Sequence, residues 1–408
     1  MKKFDIPAFY RSPIISKIKE IRKQRDRMKT DFTPTTLDFG PIVFHVARHF
    51  GFCYGVENAI EIVYRTIDEN PGKRIFLLSE MIHNPHVNED LQSMGVQFMQ
   101  DTYGNQLLNW DELNENDIAV IPAFGTTTKI EQLLKDKNIN IEAYDTTCPF
   151  VEKVWKRSAK LGHDDYTVVI HGKPQHEETR ATFSHSATNA HAIVIRDIEE
   201  ARILADFINN KRDWADFDNF FAERYTEGFN PKEHLKRIGV VNQTTMLASD
   251  TQEIADFLGG IVTNLYGTEN YADTRDTLCY ATSDNQNAVY GLLDVPADFA
   301  IVVGGYNSSN TSHLVELCEQ KLTTFHISGP AKLLDEKSIS HFIPKDNKES
   351  ISALNLKSDK PIHILLTSGA SCPDATVDQI IERIISFVGD DTKDKNVVLE
   401  TVEKQYKD

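Results

Sequence analysis

The chain has 408 residues, 40% hydrophobic and 26% charged, a globular composition rather than a disordered one. No apolar run approaches the ~20 residues of a membrane-spanning helix, and five scattered cysteines exclude a disulfide scaffold. Ten basic against three acidic residues give residues 1–30 a charge of +7, so the other 378 carry −24 within the net −17. A body so acidic repels nucleic-acid phosphate, which excludes a general nucleic-acid binder.

The basic start is not a secretory signal, because no apolar core follows Lys2 and Lys3. Asp5, Glu20 and Asp26 do not suit a transit peptide, so a cytoplasmic protein is expected. Ile14, Ile15, Ile18 and Ile21 recur at helical spacing among lysines and arginines, predicting a helix packed by one isoleucine edge. Pro34 and its neighbouring threonines end that segment, and residues 1–39 read as a basic extension.

From residue 40 the pattern alternates strand, loop and helix. Apolar, β-rich runs occupy 42–47, 74–79, 118–123, 167–171, 193–195, 238–241, 299–304 and 363–367. Alternation of this kind predicts α/β layers with parallel sheets. Residues 204–236 are acidic and aromatic, with Trp214, Phe217, Phe220, Phe221 and Tyr225, and read as an insertion. The charged stretch 389–408 reads as a peripheral tail.

Three cysteines share one local setting. Cys53 in Gly51-Phe52-Cys53-Tyr54-Gly55, Cys148 in Thr147-Cys148-Pro149 and Cys279 in Asp276-Thr277-Leu278-Cys279-Tyr280 each precede a helical periodicity. Pro149 suits the first helical position, and a helix N-terminus is expected to lower a cysteine pKa. Their spacing, 95 and 131 residues, suggests three related α/β units, with the insertion in the longer gap. The units then run 40–148, 149–278 and 279–388. Such cysteines are either packing residues or, converging, three thiolate ligands that leave one position of an iron–sulfur cluster open. Cys318 reads as core.

Polar loops follow several strands: Asn242-Gln243-Thr244-Thr245, Tyr306-Asn307-Ser308-Ser309-Asn310 and Ser368-Gly369-Ala370-Ser371-Cys372-Pro373. They offer N–H groups and hydroxyls to a phosphate or serve as ordinary helix caps. Neither a phosphate-loop lysine motif nor a dinucleotide fingerprint is present. The acid–base candidates are His83-Asn84 and His176-Glu177-Glu178. Glu177 and Glu178 point to different sides of their element, so one of the two faces a site. A carboxyl beside a diphosphate has its pKa raised and can deliver protons at neutral pH.

These segments, with Cys279-Tyr280-Ala281-Thr282, resemble the 4-hydroxy-3-methylbut-2-enyl diphosphate reductase family over residues 40–388. The resemblance implies three similar α/β units with small parallel sheets, arranged pseudo-threefold around one [4Fe-4S] cluster per chain. It implies that Cys53, Cys148 and Cys279 hold the cluster, whose open iron takes the substrate hydroxyl. His83, His176, Ser308, Ser309, Asn310 and Ser371 would hold the diphosphate, with Glu178 as proton donor and Thr244 beside the hydroxyl. Many members carry a histidine where this chain has Phe124, in Ala123-Phe124-Gly125-Thr126-Thr127-Thr128. That form, with His171-Gly172-Lys173, resembles the plant and cyanobacterial branch; phenylalanine donates no hydrogen bond, and the threonines are the nearby substitutes. The implied electron donor is a reduced ferredoxin or flavodoxin, with no nucleic acid or membrane as partner. Such donors are acidic, so docking calls for a basic patch, for which residues 11–29 are the candidate. Two other readings of a cluster protein are a hydro-lyase, which consumes no electrons, and a non-catalytic sensor, against which Glu178, Thr244 and 307–310 speak.

Overall fold

The computed structural model describes residues 4–274, 277–389 and 392–407. Asp276, part of the third cysteine motif, lies outside the described residues. The chain divides into two compact units. The first comprises the described residues of Met1–Glu57, His83–Val87 and Tyr280–Asp408, and the second Asn58–Ile82 and Asn88–Cys279.

The first unit is built on an eight-stranded sheet. Ile362–Ser368 pairs in parallel with Ile42–Val46 on one side and Phe299–Val303 on the other, and Phe299–Val303 pairs in parallel with Thr324–Ile327. Ile42–Val46 and Phe299–Val303 are buried at every position, as strands covered on both faces must be, and this is why they read as unbroken apolar runs. The antiparallel edges are more polar: Thr35–Asp38 on one side, and Ser338–Ile343 with Lys348–Ala353 on the other. Ile42–Val46, assigned in sequence order to a unit ending at residue 148, thus lies in the sheet of the C-terminal strands.

The helix Pro13–Arg25 starts at Ser12, whose Oγ accepts the Ile15 N–H and donates to Asp378 Oδ2 (2.6 Å). It buries Ile14, Ile15 and Ile18, the predicted edge, and also Arg22. Arg22 donates to Thr33 O, Asp31 Oδ2 and Tyr406 Oη at 2.7–2.9 Å, so its buried charge is paired. Tyr406 belongs to the helix Lys395–Lys407, which packs on Pro13–Arg25 and buries Val398, Leu399 and Val402. The expectation of a peripheral tail is corrected here: three apolar residues spaced for one helix face dock it.

The second unit holds two sheets, both parallel throughout. One orders Gln97–Phe98, Ile75–Leu77 and Ile118–Val120; the other Ala192–Ile195, Thr167–His171, Ile238–Asn242 and Tyr271–Ala272. The residues read as an insertion are core: Phe207, Phe217, Phe221 and Phe229 are buried with Ile254, Leu258 and Val262. Their aromatic rings pack edge-on or tilted, with centroids 5.0–6.2 Å apart for Phe217 against Phe207, Phe221 and Phe229. Phe221→Ala, at a side chain with no exposed surface, should cost about 3–5 kcal/mol in urea unfolding. A dispensable insertion would lose far less.

Candidate active site

In the first unit the site residues stand where parallel strands end. Phe299–Val303 feeds the loop Gly304–Ser308 and the helix Ser309–Glu319; Ile362–Ser368 feeds Gly369–Pro373 and the helix Asp374–Val388. Adjacent parallel strands therefore present both loops, and the helix starts behind them, at one edge of the sheet. The loops approach closely enough to require glycine. A Cβ on Gly369 would lie 2.1 Å from Thr311 Oγ1, and one on Gly305 2.4 Å from the His83 carbonyl.

Ser308 caps its helix, its Oγ accepting the Thr311 N–H (3.2 Å) and hydroxyl (3.0 Å), which leaves its own proton to give. Asn310 is only 4% exposed. Its Oδ1 accepts the Ala370 N–H (2.9 Å), and its Nδ2 has no hydrogen-bond partner among the described residues. A buried donor left in this state is a socket for an acceptor. Ser371 Oγ donates to the His83 carbonyl (3.0 Å), and Asn84 Nδ2 donates to the Ser371 carbonyl (2.9 Å). Cys53 joins this group through its N–H, given to the Ala370 carbonyl (3.2 Å), and stands immediately before the helix Tyr54–Glu69.

In the second unit Glu178 is 1% exposed, and both oxygens of its carboxyl group are gripped by Thr244. The Thr244 N–H reaches Oε1 at 2.5 Å and its hydroxyl reaches Oε2 at 3.0 Å. The Thr244 carbonyl accepts the Cys279 N–H (3.2 Å). Glu177 is also buried and takes the Ser79 hydroxyl instead, so the pair does diverge, although neither member is at the surface. His176 caps the helix Glu177–Ser186, its Nδ1 accepting the Glu178 N–H (3.2 Å). An accepting Nδ1 places the neutral ring's proton on Nε2. Gln243 braces the assembly, its Oε1 accepting the Lys173 N–H and the Thr179 hydroxyl.

Cys148 stands immediately before the helix Pro149–His163 and gives its N–H to the Ala123 carbonyl (3.0 Å). Its thiol does not show the expected lowering. Burial pushes its pKa up to about 11, against hydrogen bonds from Phe150 and Val151, and the negative charges of Cys279 and Glu178 add to the rise. Desolvation outweighs the helix terminus.

Phe124 meets the His176 ring edge to face, centroids 5.6 Å apart. Of the nearby threonines, Thr127 caps the helix Thr128–Asp136, and Thr128 bonds Ser184 through its N–H and hydroxyl. Asn84 and Gln243 occur in the sequence motifs without a role, and the structure supplies bracing roles for both. Cys318 and Cys372 are wholly buried, unlike the three helix-start cysteines. The Asn310 socket gives a direct test. Asn310→Asp keeps the acceptor for Ala370 but replaces the buried donor with charge. It should weaken inorganic pyrophosphate binding tenfold or more in calorimetry, about 1.4 kcal/mol.

Residues 44–385 match the LytB protein family. The chain is 38% identical over 355 residues to 4-hydroxy-3-methylbut-2-enyl diphosphate reductase of Synechococcus sp. (strain WH7803), covering 86% of this chain and 87% of that one. It is 38% identical over 362 residues to the protein of that name from Gloeobacter violaceus, with coverages of 87% and 85%. A solved structure of (E)-4-hydroxy-3-methyl-but-2-enyl diphosphate reductase, the terminal enzyme of the non-mevalonate pathway, aligns with a TM-score of 0.51 at 25% identity. That alignment covers 84% of this chain and 98% of the other. The fold is also that of the Plasmodium falciparum E-1-hydroxy-2-methyl-but-2-enyl-4-diphosphate reductase, with a TM-score of 0.60 at 20% identity over 83% and 86% of the two chains. All three helix-start cysteines and every site residue above fall inside the matched span, and the chain belongs to the LytB protein family.

Proposed function

We propose that this chain reduces (E)-4-hydroxy-3-methylbut-2-enyl diphosphate to isopentenyl and dimethylallyl diphosphate, closing the methylerythritol phosphate route to isoprenoids. The observation that carries this reading is the Thr244 bridge, which grips both oxygens of buried Glu178 and takes the Cys279 N–H on its carbonyl. A proton donor is thereby keyed to a cysteine.

The residues fit a [4Fe-4S] cluster by their donor chemistry: Cys53, Cys148 and Cys279 are partly accessible thiols at helix starts, each with its backbone N–H fixed. A four-iron cluster spreads its thiolate ligands, so it does not ask for the tight grouping a single metal ion needs, and no such grouping occurs among the described residues. Bound by these three thiolates, the cluster supplies electrons and an open Lewis-acid iron for the substrate's hydroxyl oxygen.

The chain's own residues do the rest. The Ser308 hydroxyl, the Asn310 amide and the His176 Nε2–H are donors for the diphosphate, with His83 and Ser309 beside them and Ser371 joining once its hydroxyl turns from the His83 carbonyl. The bond that breaks is the allylic C–O bond; two electrons and two protons enter, one C–H forms and water leaves. Glu178 provides the proton that turns the departing hydroxyl into water. A hydroxyl both donates and accepts, so when Glu178 carries a proton on Oε2, Thr244 accepts it and turns its own hydrogen toward the substrate oxygen. We read the electron donor as reduced ferredoxin or flavodoxin and the place of action as the cytoplasm. Among the described residues no helix is long and apolar enough to cross a membrane.

Anaerobic oxidation of reduced methyl viologen by the cluster-loaded chain tests this. Dye oxidation should depend on substrate and yield five-carbon diphosphates. Glu178→Gln should lower kcat by roughly 100-fold or more, the scale of a lost general acid, with substrate affinity within a few-fold of the parent. Substrate turnover without dye oxidation would favour a hydro-lyase, and binding without turnover a sensor.

A further inference from the structure

The basic N-terminal segment takes no part in the chemistry above, yet it is held against it. Lys19, Lys23, Arg27, Lys29 and Arg48 line a cavity of about 250 Å³ that Cys53 also lines. Three acidic groups line it too, Asp26, Glu57 and Asp284. Asp26 faces Arg48 (3.8 Å) and Asp284 takes Lys29 (3.0 Å), while Lys19 is held by Asp374 (2.6 Å). Lys23 and Arg27 are exposed, and neither carries an ion pair among the described residues. Between Arg27 and Lys29 stands Met28, 82% exposed. Arg48 is only 7% exposed, and its Nε has no hydrogen-bond partner among the described residues.

We propose that this face, centred on Lys23, Arg27 and Met28 beside Cys53, is the docking surface for an acidic one-electron carrier protein. The inference rests on the reductase reading, which requires two electrons from outside the chain. Charge complementarity selects the occupant. The remainder of the chain carries −24 and repels an acidic protein, so attraction is confined to the segment that carries +7. Arginine and methionine around an exposed apolar centre are the composition of a protein interface. Arg48 offers a buried N–H to a carboxylate entering the cavity. The carrier is then brought to the face lined by Cys53, the proposed cluster ligand. Each of two carrier molecules is oxidised by one electron per turnover, and those two electrons, with two protons, replace the substrate's C–O bond by C–H and release water.

The test uses the cluster-loaded full chain and a plant-type [2Fe-2S] ferredoxin as probe. Binding of the oxidised ferredoxin is measured by calorimetry at two ionic strengths, and turnover is measured separately with reduced methyl viologen. Lys23→Glu with Arg27→Glu should weaken ferredoxin binding at least tenfold and flatten its salt dependence, leaving viologen-driven turnover within twofold. The control Lys232→Glu with Lys236→Glu makes the same change in net charge at two other exposed lysines and should leave binding within twofold. Unchanged binding in the first variant, equal losses in both, or a parallel loss of viologen-driven turnover would each overturn the docking surface. Failure of the parent chain to oxidise viologen with substrate would instead overturn the reductase reading beneath it.

Discussion

Each of the three helix-start cysteines is tied through its own backbone N–H to a carbonyl in a loop of the site. Cys53 gives its N–H to Ala370, Cys148 to Ala123 and Cys279 to Thr244. The acceptor residues neighbour or belong to the groups that matter: Ala370 precedes Ser371, Ala123 precedes Phe124, and Thr244 holds Glu178. A backbone bond of this kind fixes where the Cα sits and leaves the sulfur uncommitted. It also satisfies an N–H at the start of a helix, where no carbonyl of the helix can. Position of the thiols and position of the polar loops are thereby one constraint. A displaced loop would move its cysteine, and a displaced cysteine would move its loop.

The same economy governs the buried acids. A carboxylate taken out of water is costly unless its oxygens are engaged. Glu177 and Glu178 are consecutive and both buried, and they meet that demand in opposite directions, one through Ser79 and the other through Thr244. Glu177 is thus spent on joining elements of the fold. Glu178 has a partner whose hydroxyl can reverse its hydrogen bond, and a reversible bond is what a proton relay needs. Chemically identical side chains acquire different uses from what lies opposite them.

Much of this was legible in the chain, for identifiable reasons. All eight apolar runs contain strands that are buried along nearly their whole length, the edge strands Ile118–Val120 and Ala192–Ile195 included, and burial on both faces leaves an unbroken hydrophobic signature. Among the described residues, seven further strands lack it. Tyr271–Ala272 is two residues long, and Lys348–Ala353 has no buried residue, so neither shows a period. The helix Lys395–Lys407 was hidden by its charge, since three buried apolar residues suffice to dock it. The stretch 204–236 read as an insertion on its acidic, aromatic composition, yet its rings pack into a core with Ile254, Leu258 and Val262. In the site, side-chain identities were visible as motifs. What the motifs could not carry was direction: which Glu turns inward, that Asn310 keeps a buried amide unpartnered, and that desolvation of Cys148 overrides its helix terminus.

Phe124 shows how a lost donor can be absorbed. The resemblance places a diphosphate-binding histidine there in many members, and a phenyl ring cannot repeat its hydrogen bond. The ring instead presses edge to face on His176, an arrangement favoured by the aromatic quadrupole. His176 is already held from the other side, its Nδ1 accepting the Glu178 N–H. Two contacts on one imidazole restrict its rotation and fix which nitrogen carries the proton. The position therefore changes from supplying a donor to orienting one. Because the imidazole cap and the Glu178 carboxylate begin the same helix, orienting His176 also steadies the backbone from which Glu178 reaches Thr244. A phenyl ring at this position thus leaves the grip of Thr244 on Glu178 supported.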